Sequence, residues 1–174
     1  MIKIWIATAL AGLFLGTSLF AQAQPKVTKK EAEALQAIQT AADDDARIAA
    51  VENLLTKFVD TGYKAIVLEV AMDSARHKND TDTMILYAER LLEADPKHLN
   101  ALSTLARDAA DHTREFDLDK EDKLKKATDL ANKCLQYAPD TKRPLTVPDE
   151  KEWTQRKNFY LSDAHGALDR KSTL

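Results

Sequence analysis

The sequence predicts an all-α fold, and three observations carry that reading. Only four glycines, at 12, 16, 62 and 166, occur in 174 residues, while Ala, Leu, Lys, Glu and Asp dominate, a composition of strong helix formers and solvated faces. Apolar residues recur at spacings of three and four through most of the chain, which places them on one stripe of successive helices. Three segments of equal length also align without gaps: RIAAVENLLTKFV (Arg47 to Val59), MILYAERLLEADP (Met84 to Pro96) and ATDLANKCLQYAP (Ala127 to Pro139).

The first residues read as an export address. Lys3 gives a positive start, Ile4 to Phe20 is an uncharged apolar run, and Ala21-Gln22-Ala23 is the small-x-small pattern of a signal-peptidase site. Cleavage is expected before Gln24, making residues 1–23 a signal peptide, 24–30 a flexible lead and 31–174 one helical domain. The alternative is an uncleaved membrane anchor, since the run approaches the roughly 20 residues that span hydrocarbon. No cysteine follows the run, so a lipid-modified cysteine is not expected. The expected compartment is the periplasm of a Gram-negative cell, or otherwise outside the cell, with no membrane partner once the signal is removed.

Thr28 followed by Glu31 is the pattern of an N-cap with its capping-box partner, and Ala32, Leu35, Ile38 and Ala42 form the stripe of a first helix. Asp43-Asp44-Asp45 ends it, and Asp45 is expected to cap a second helix over Ala46 to Phe58, whose stripe is Ile48, Val51, Leu54, Leu55 and Phe58. Gly62 breaks the chain. Tyr63 to Arg76 is a third helix, so apolar that it is expected to be the most buried segment.

Asn79-Asp80 is a turn, and Thr81 or Asp82 is expected to cap a fourth helix that stops at Ala94 before Pro96. A fifth helix runs from Leu99 to about Arg114. The charged stretch Glu115 to Lys126, around Phe116 and Leu118, leads into a sixth that ends near Tyr137 and Pro139. Pro144 and Pro148 mark a linker, and a last helix is expected from about Asp149 to Arg170, with no successor in this chain.

The aligned segments agree position by position. Their fifth residues are Val51, Ala88 and Ala131, their eighth Leu54, Leu91 and Cys134, their ninth Leu55, Leu92 and Leu135. They start at 47, 84 and 127, hence 37 and 43 apart. Ala127, Ala131, Cys134 and Pro139, like Met84, Ala88, Leu91 and Pro96, have the small, apolar, small and proline spacing of a tetratricopeptide (TPR) second helix. The stretch YAERLLEADPKHLNALSTLA, Tyr87 to Ala106, resembles that family most closely.

The resemblance to the TPR family covers Glu31 to about Arg170. It implies a right-handed solenoid of antiparallel helix pairs, about three and a half repeats long, after the signal peptide. Two departures stand out: Val59 occupies the proline position and Met84 a small-residue position. Against the family's period of about 34 residues, roughly 3 and 9 residues are extra, and they are expected at His77 to Asp82 and Glu115 to Lys126.

Chemistry-bearing patterns are sparse. His77, His98, His112 and His165 are scattered and match no zinc spacing, and no Gly-rich phosphate loop or nucleophile elbow occurs. His112 with Asp108 reads as a surface i, i+4 pair, and Cys134 as a small core residue. No enzyme activity, cofactor or metal is expected. Lys plus Arg number 25 against 28 Asp plus Glu, a balance that offers no footprint for nucleic acid or anionic lipid.

Binding of a protein or peptide partner is the expected function, in an adapter or scaffold of the cell envelope. In proteins of the resembled family the first helix of each pair lines a concave groove. Carried over, that places Tyr63, Ile66, Val70 and Asp73 on one wall and Asn100, Ser103, Arg107 and Asp111 on the next. Packing of Ile66 and Val70 under the first helix is the alternative. Trp153, Phe159, Tyr160 and Leu161 are expected to form a C-terminal contact surface, through which a homo-oligomeric structural subunit is the alternative reading.

Overall fold

The computed structural model describes residues 27–173, and the signal-peptide reading lies outside them. The described residues form seven helices and no strand: α1 Lys29–Gln39, α2 Asp44–Lys57, α3 Lys64–His77, α4 Thr81–Ala94, α5 Leu99–Asp111, α6 Lys120–Tyr137 and α7 Glu150–Thr173. The all-α expectation therefore holds. Lys29 and Lys30, assigned above to the lead, already belong to α1. No helix among the described residues is long and apolar enough to cross a membrane.

Local chemistry accounts for the boundaries. Thr28 Oγ1 accepts from the Glu31 N–H at 3.2 Å, as its spacing predicts, while the Glu31 carboxylate accepts from Thr61 at 2.7 Å and ties α1 to the α2–α3 turn. Asp43, not Asp45, caps α2, accepting from the Ala46 N–H at 2.7 Å. A capping carboxylate reaches an amide two or three residues on, so the first aspartate of the run is the one in position, and Asp44 and Asp45 fill the electropositive first turn.

The cap of α4 differs from expectation in the same way. Asp80 fills it, not Thr81 or Asp82, accepting from the Thr83 N–H at 3.1 Å. Asn79 lies at φ 57, and the Asp80 N–H reaches Ala75 O at 3.0 Å while the Asn79 N–H reaches Arg76 O, also at 3.0 Å. That pair of bonds around a left-handed residue is a Schellman ending, which asparagine tolerates better than other side-chain-bearing residues. Only residues 78–80 separate α3 from α4, so no extra loop sits there; the connection over residues 112–119 does carry additional length.

Each helix packs on its successor, and α7 packs on α5 as well. Two apolar clusters result. One gathers Ile38, Val51, Leu54, Leu68, Met72, Tyr87 and Leu91 with Ala101 and Leu105; the other gathers Leu99, Leu102, Ala106, Ala131, Cys134, Trp153, Tyr160 and Ala164. Helix α5 thus feeds both, and it is more completely buried than α3, contrary to the expectation from apolar content. The reason is position: α3 spends part of its surface on solvent, with Ile66 40% exposed, whereas α5 is covered by α4, α6 and α7.

The aligned segments occupy matching environments. Val51, Ala88 and Ala131 are each fully buried, as are Leu54, Leu91 and Cys134, and the ninth-position leucines 55, 92 and 135 are all half-buried at cluster margins. Close-packed interiors have no spare volume at such positions. Ala88→Leu and Ala131→Leu should each destabilise the fold by about 1–3 kcal/mol, while Ala94→Leu, at an exposed site on α4, should stay within about 0.5 kcal/mol. Urea denaturation of the three variants measures the difference.

Candidate functional site

One face of α3 carries Glu69, Asp73 and Arg76 at spacings of four and three, so the three side chains share a stripe on an otherwise apolar helix. On α5 the matching stripe is Asn100, Thr104, Arg107 and Asp111, and His98 caps that helix. On α7 it is Arg156, Tyr160 and Asp163. These stripes meet.

Arg76 is the link. Its guanidinium pairs with Asp73 on its own helix and donates to Asn100 Oδ1 at 3.0 Å and Thr104 Oγ1 at 2.9 Å on α5. The Asn100 amide returns a bond to Glu69 at 3.2 Å, and His98 Nε2 forms an ion pair with Glu69 at 3.6 Å. Asn100 is 2% exposed and fully used; its place here is structural, holding α3 against α5.

Farther along α5, Arg107 Nε donates to Asp111 at 2.6 Å, and its Nη1 stands 3.9 Å from Asp163 of α7. Gly166 makes room for it, since a Cβ there would fall 2.8 Å from Arg107 Nη1. Arg76, Thr104, Arg107, Asp111 and Asp163 line a recess of about 220 Å³, closed on one side by Met84 and Thr81 at the start of α4.

The charges are unevenly compensated. Burial opposes ionisation of Glu69, but the bonds and charge of His98 and the Asn100 amide outweigh it and keep its pKa below the usual value. Asp73 is pushed upward, by burial first, with Glu69 adding to the shift and Arg76 resisting it. Asp163 is raised by burial against the pull of Arg107 and Arg76. For His98, burial favours the neutral ring, yet Glu69 with its hydrogen bond and charge raises the net value, Asp95 and Asp73 assisting. Tyr160 is raised by burial and by the field of Glu69 and Asp73.

Of the residues singled out from sequence, the structure joins Asp73, Asn100, Arg107 and Asp111 in this one polar cluster. Ser103 is fully buried, its hydroxyl donating to Asn100 O at 3.1 Å, so it faces no groove. Tyr63 and Val70 are half-buried at the edge of the first apolar cluster, and Ile66 stands outside it in solvent. Trp153 and Tyr160 are turned into the second apolar cluster and Leu161 packs against it, leaving Phe159, 54% exposed, as the outward member of the C-terminal set.

Glu69, Arg76, His98, Thr104 and Asp163 were not read from the sequence as site residues. The signal for the first two was present: they are the charged positions of α3 that fall in register with Asp73. The pairs at α5 depend on a neighbouring helix, which spacing alone does not reveal. His112 and Asp108 do pair on the surface, at 2.9 Å. Cys134 is buried, and desolvation raises its thiol to about 11.

A pH dependence follows. The raised pKa of His98 adds stability that is complete below its ordinary value of 6.5 and is lost as pH rises through the folded value. The lowered pKa of Glu69 adds stability that is complete above 4.5 and is lost as pH falls through the folded value. The pair therefore contributes most between 4.5 and 6.5. His98→Gln should cost more stability at about pH 5.5 than at about pH 8.5 in denaturant titrations; an equal cost at both would show that His98 is not charged against Glu69. No protein-family model, curated protein or solved structure matches the chain.

Proposed function

We propose that the chain is a TPR-like solenoid of antiparallel helix pairs acting as a non-catalytic interaction module of the cell envelope. Its partner is an extended protein segment laid along the face shared by α3, α5 and α7. The supporting observation is the meeting of three polar stripes on alternate helices, with hydrogen-bonding groups spanning from Arg76 to Asp163. Equal burial at equivalent positions of the three aligned segments supports the repeat, because stacked helix pairs present the same residue to the same neighbour each time.

The groups left for a partner are those not consumed internally. Arg107 has a half-exposed guanidinium that can exchange Asp111 for a ligand carbonyl or carboxylate, and Ile66 offers an apolar contact farther along the face. Asn100 and Ser103 position helices and do not touch the partner.

A photo-crosslinking amino acid at position 66 or 107 should capture a partner from the envelope fraction, whereas the same group at 133, on exposed α6 surface, should not. Arg107→Ala should weaken binding of the captured partner by about tenfold, or 1.4 kcal/mol. Equal capture from position 133, or unchanged affinity in Arg107→Ala, would defeat this assignment of the face.

The second reading is a structural subunit that self-assembles through α7, favoured by the exposed Phe159 ring. On that reading, light scattering across a concentration series shows a dimer that Phe159→Lys abolishes; a monomer throughout eliminates it.

A further inference from the structure

A second recess lies at the other end of α7. Where the chain after α6 folds back along the first two turns of α7, a cavity of about 430 Å³ opens between Thr141–Arg143 and the turns carrying Glu150, Trp153 and Lys157. Its wall holds three cations and one carboxylate. Arg143 is fixed in place: Nε donates to Glu150 at 3.1 Å and Nη1 to the Val147 carbonyl, while Nη2 has no partner among the described residues. Lys142 makes no ion pair among the described residues, and Lys157 has only the face of Trp153, 5.8 Å from its ammonium.

The hydroxyls on the wall are committed. Thr141 donates to Tyr137 O at 2.8 Å and Thr154 to Glu150 O at 2.7 Å, which leaves the cationic N–H groups as the free donors. Against Glu150, the three cations leave two positive charges uncompensated in a concave space, within a chain whose formal net charge is −3. Like charges gathered in a recess repel, and an anion of matching charge relieves them.

We propose that this recess binds a phosphate group. A phosphate monoester carries about −1.5 to −2 charge at neutral pH and three acceptor oxygens, which matches the excess charge and the donors of Lys142, Lys157 and Arg143. A carboxylate would leave one charge unmatched. The recess is open to solvent, so the body that carries the group can extend out of it. The carrier is either a soluble phosphate compound or a phosphate headgroup, and the chemistry of recognition is the same for both.

The test titrates inorganic phosphate into the full chain, following the Trp153 indole N–H by NMR, with sodium chloride at matched ionic strength as control. A second arm measures sedimentation with vesicles containing phosphatidic acid, against phosphatidylcholine alone. Binding in the first arm only assigns a soluble ligand, and binding to phosphatidic acid vesicles assigns a headgroup. In either case the Lys142→Gln, Lys157→Gln double variant should weaken binding by at least about tenfold. The Lys125→Gln, Lys133→Gln double variant makes the same charge change on α6 away from the recess and should bind as the unmodified chain does. The proposal is overturned by the absence of a saturable response in both arms, or by equal weakening in the two double variants.

Discussion

Helix α5 is the member on which the rest of the structure depends, because every residue from Leu99 to Ala106 is buried. Ala101 and Leu105 face one apolar cluster, Leu99, Leu102, Ala106 and Ala110 face the other, and Asn100 and Thr104 face the guanidinium of Arg76. A helix enclosed this way needs small side chains where neighbours approach and a partner for every buried polar atom. Three alanines and a serine, all fully buried, meet the first need. For Asn100 and Thr104, Arg76, Glu69 and Asp73 meet the second from the adjoining helix, while His98 Nδ1 at the start of α5 is buried without a partner among the described residues.

The hydrogen bonds that bridge α3 and α5 run from Arg76 to Asn100 and Thr104 and from Asn100 to Glu69. Such contacts are specific in geometry and sensitive to charge: a guanidinium held by a carboxylate, an amide and a hydroxyl has one good position, whereas leucines tolerate several. Compensation is nevertheless incomplete. Asp73 and Asp163 both have pKa values raised from the ordinary one because burial outweighs the nearby arginines. A face built this way carries incompletely compensated charge, the physical basis on which we propose it as an interaction surface.

Much of the fold was legible because helix chemistry is local. Pro96, Pro139 and Gly62 mark the breaks, and the spacing of Val51, Leu54, Ala88, Leu91, Ala131 and Cys134 identifies the inward positions, all of them fully buried. Cap identities were misplaced by one or two residues at Asp43 and Asp80, since several adjacent residues can cap and only backbone geometry selects among them. The burial of α5 was not legible, because Asn100, Ser103 and Thr104 look like surface residues until a neighbouring helix supplies their bonds. For the same reason the polar cluster was half read: Asp73, Asn100, Arg107 and Asp111 lie on faces that meet, while Glu69, Arg76 and His98 gain meaning only across the gap between helices. Trp153 and Tyr160 looked unpartnered because the surface that receives them belongs to α5 and α6.

Leu92 of α4 and Leu130 of α6 each touch both apolar clusters. In a molecule assembled from neighbours stacked in a row, the strength of such joints decides whether the parts melt together or separately. Here the joint consists of two leucines flanking a shared helix, so loosening either half withdraws support from the other. Removing either leucine side chain takes contacts from both clusters at once.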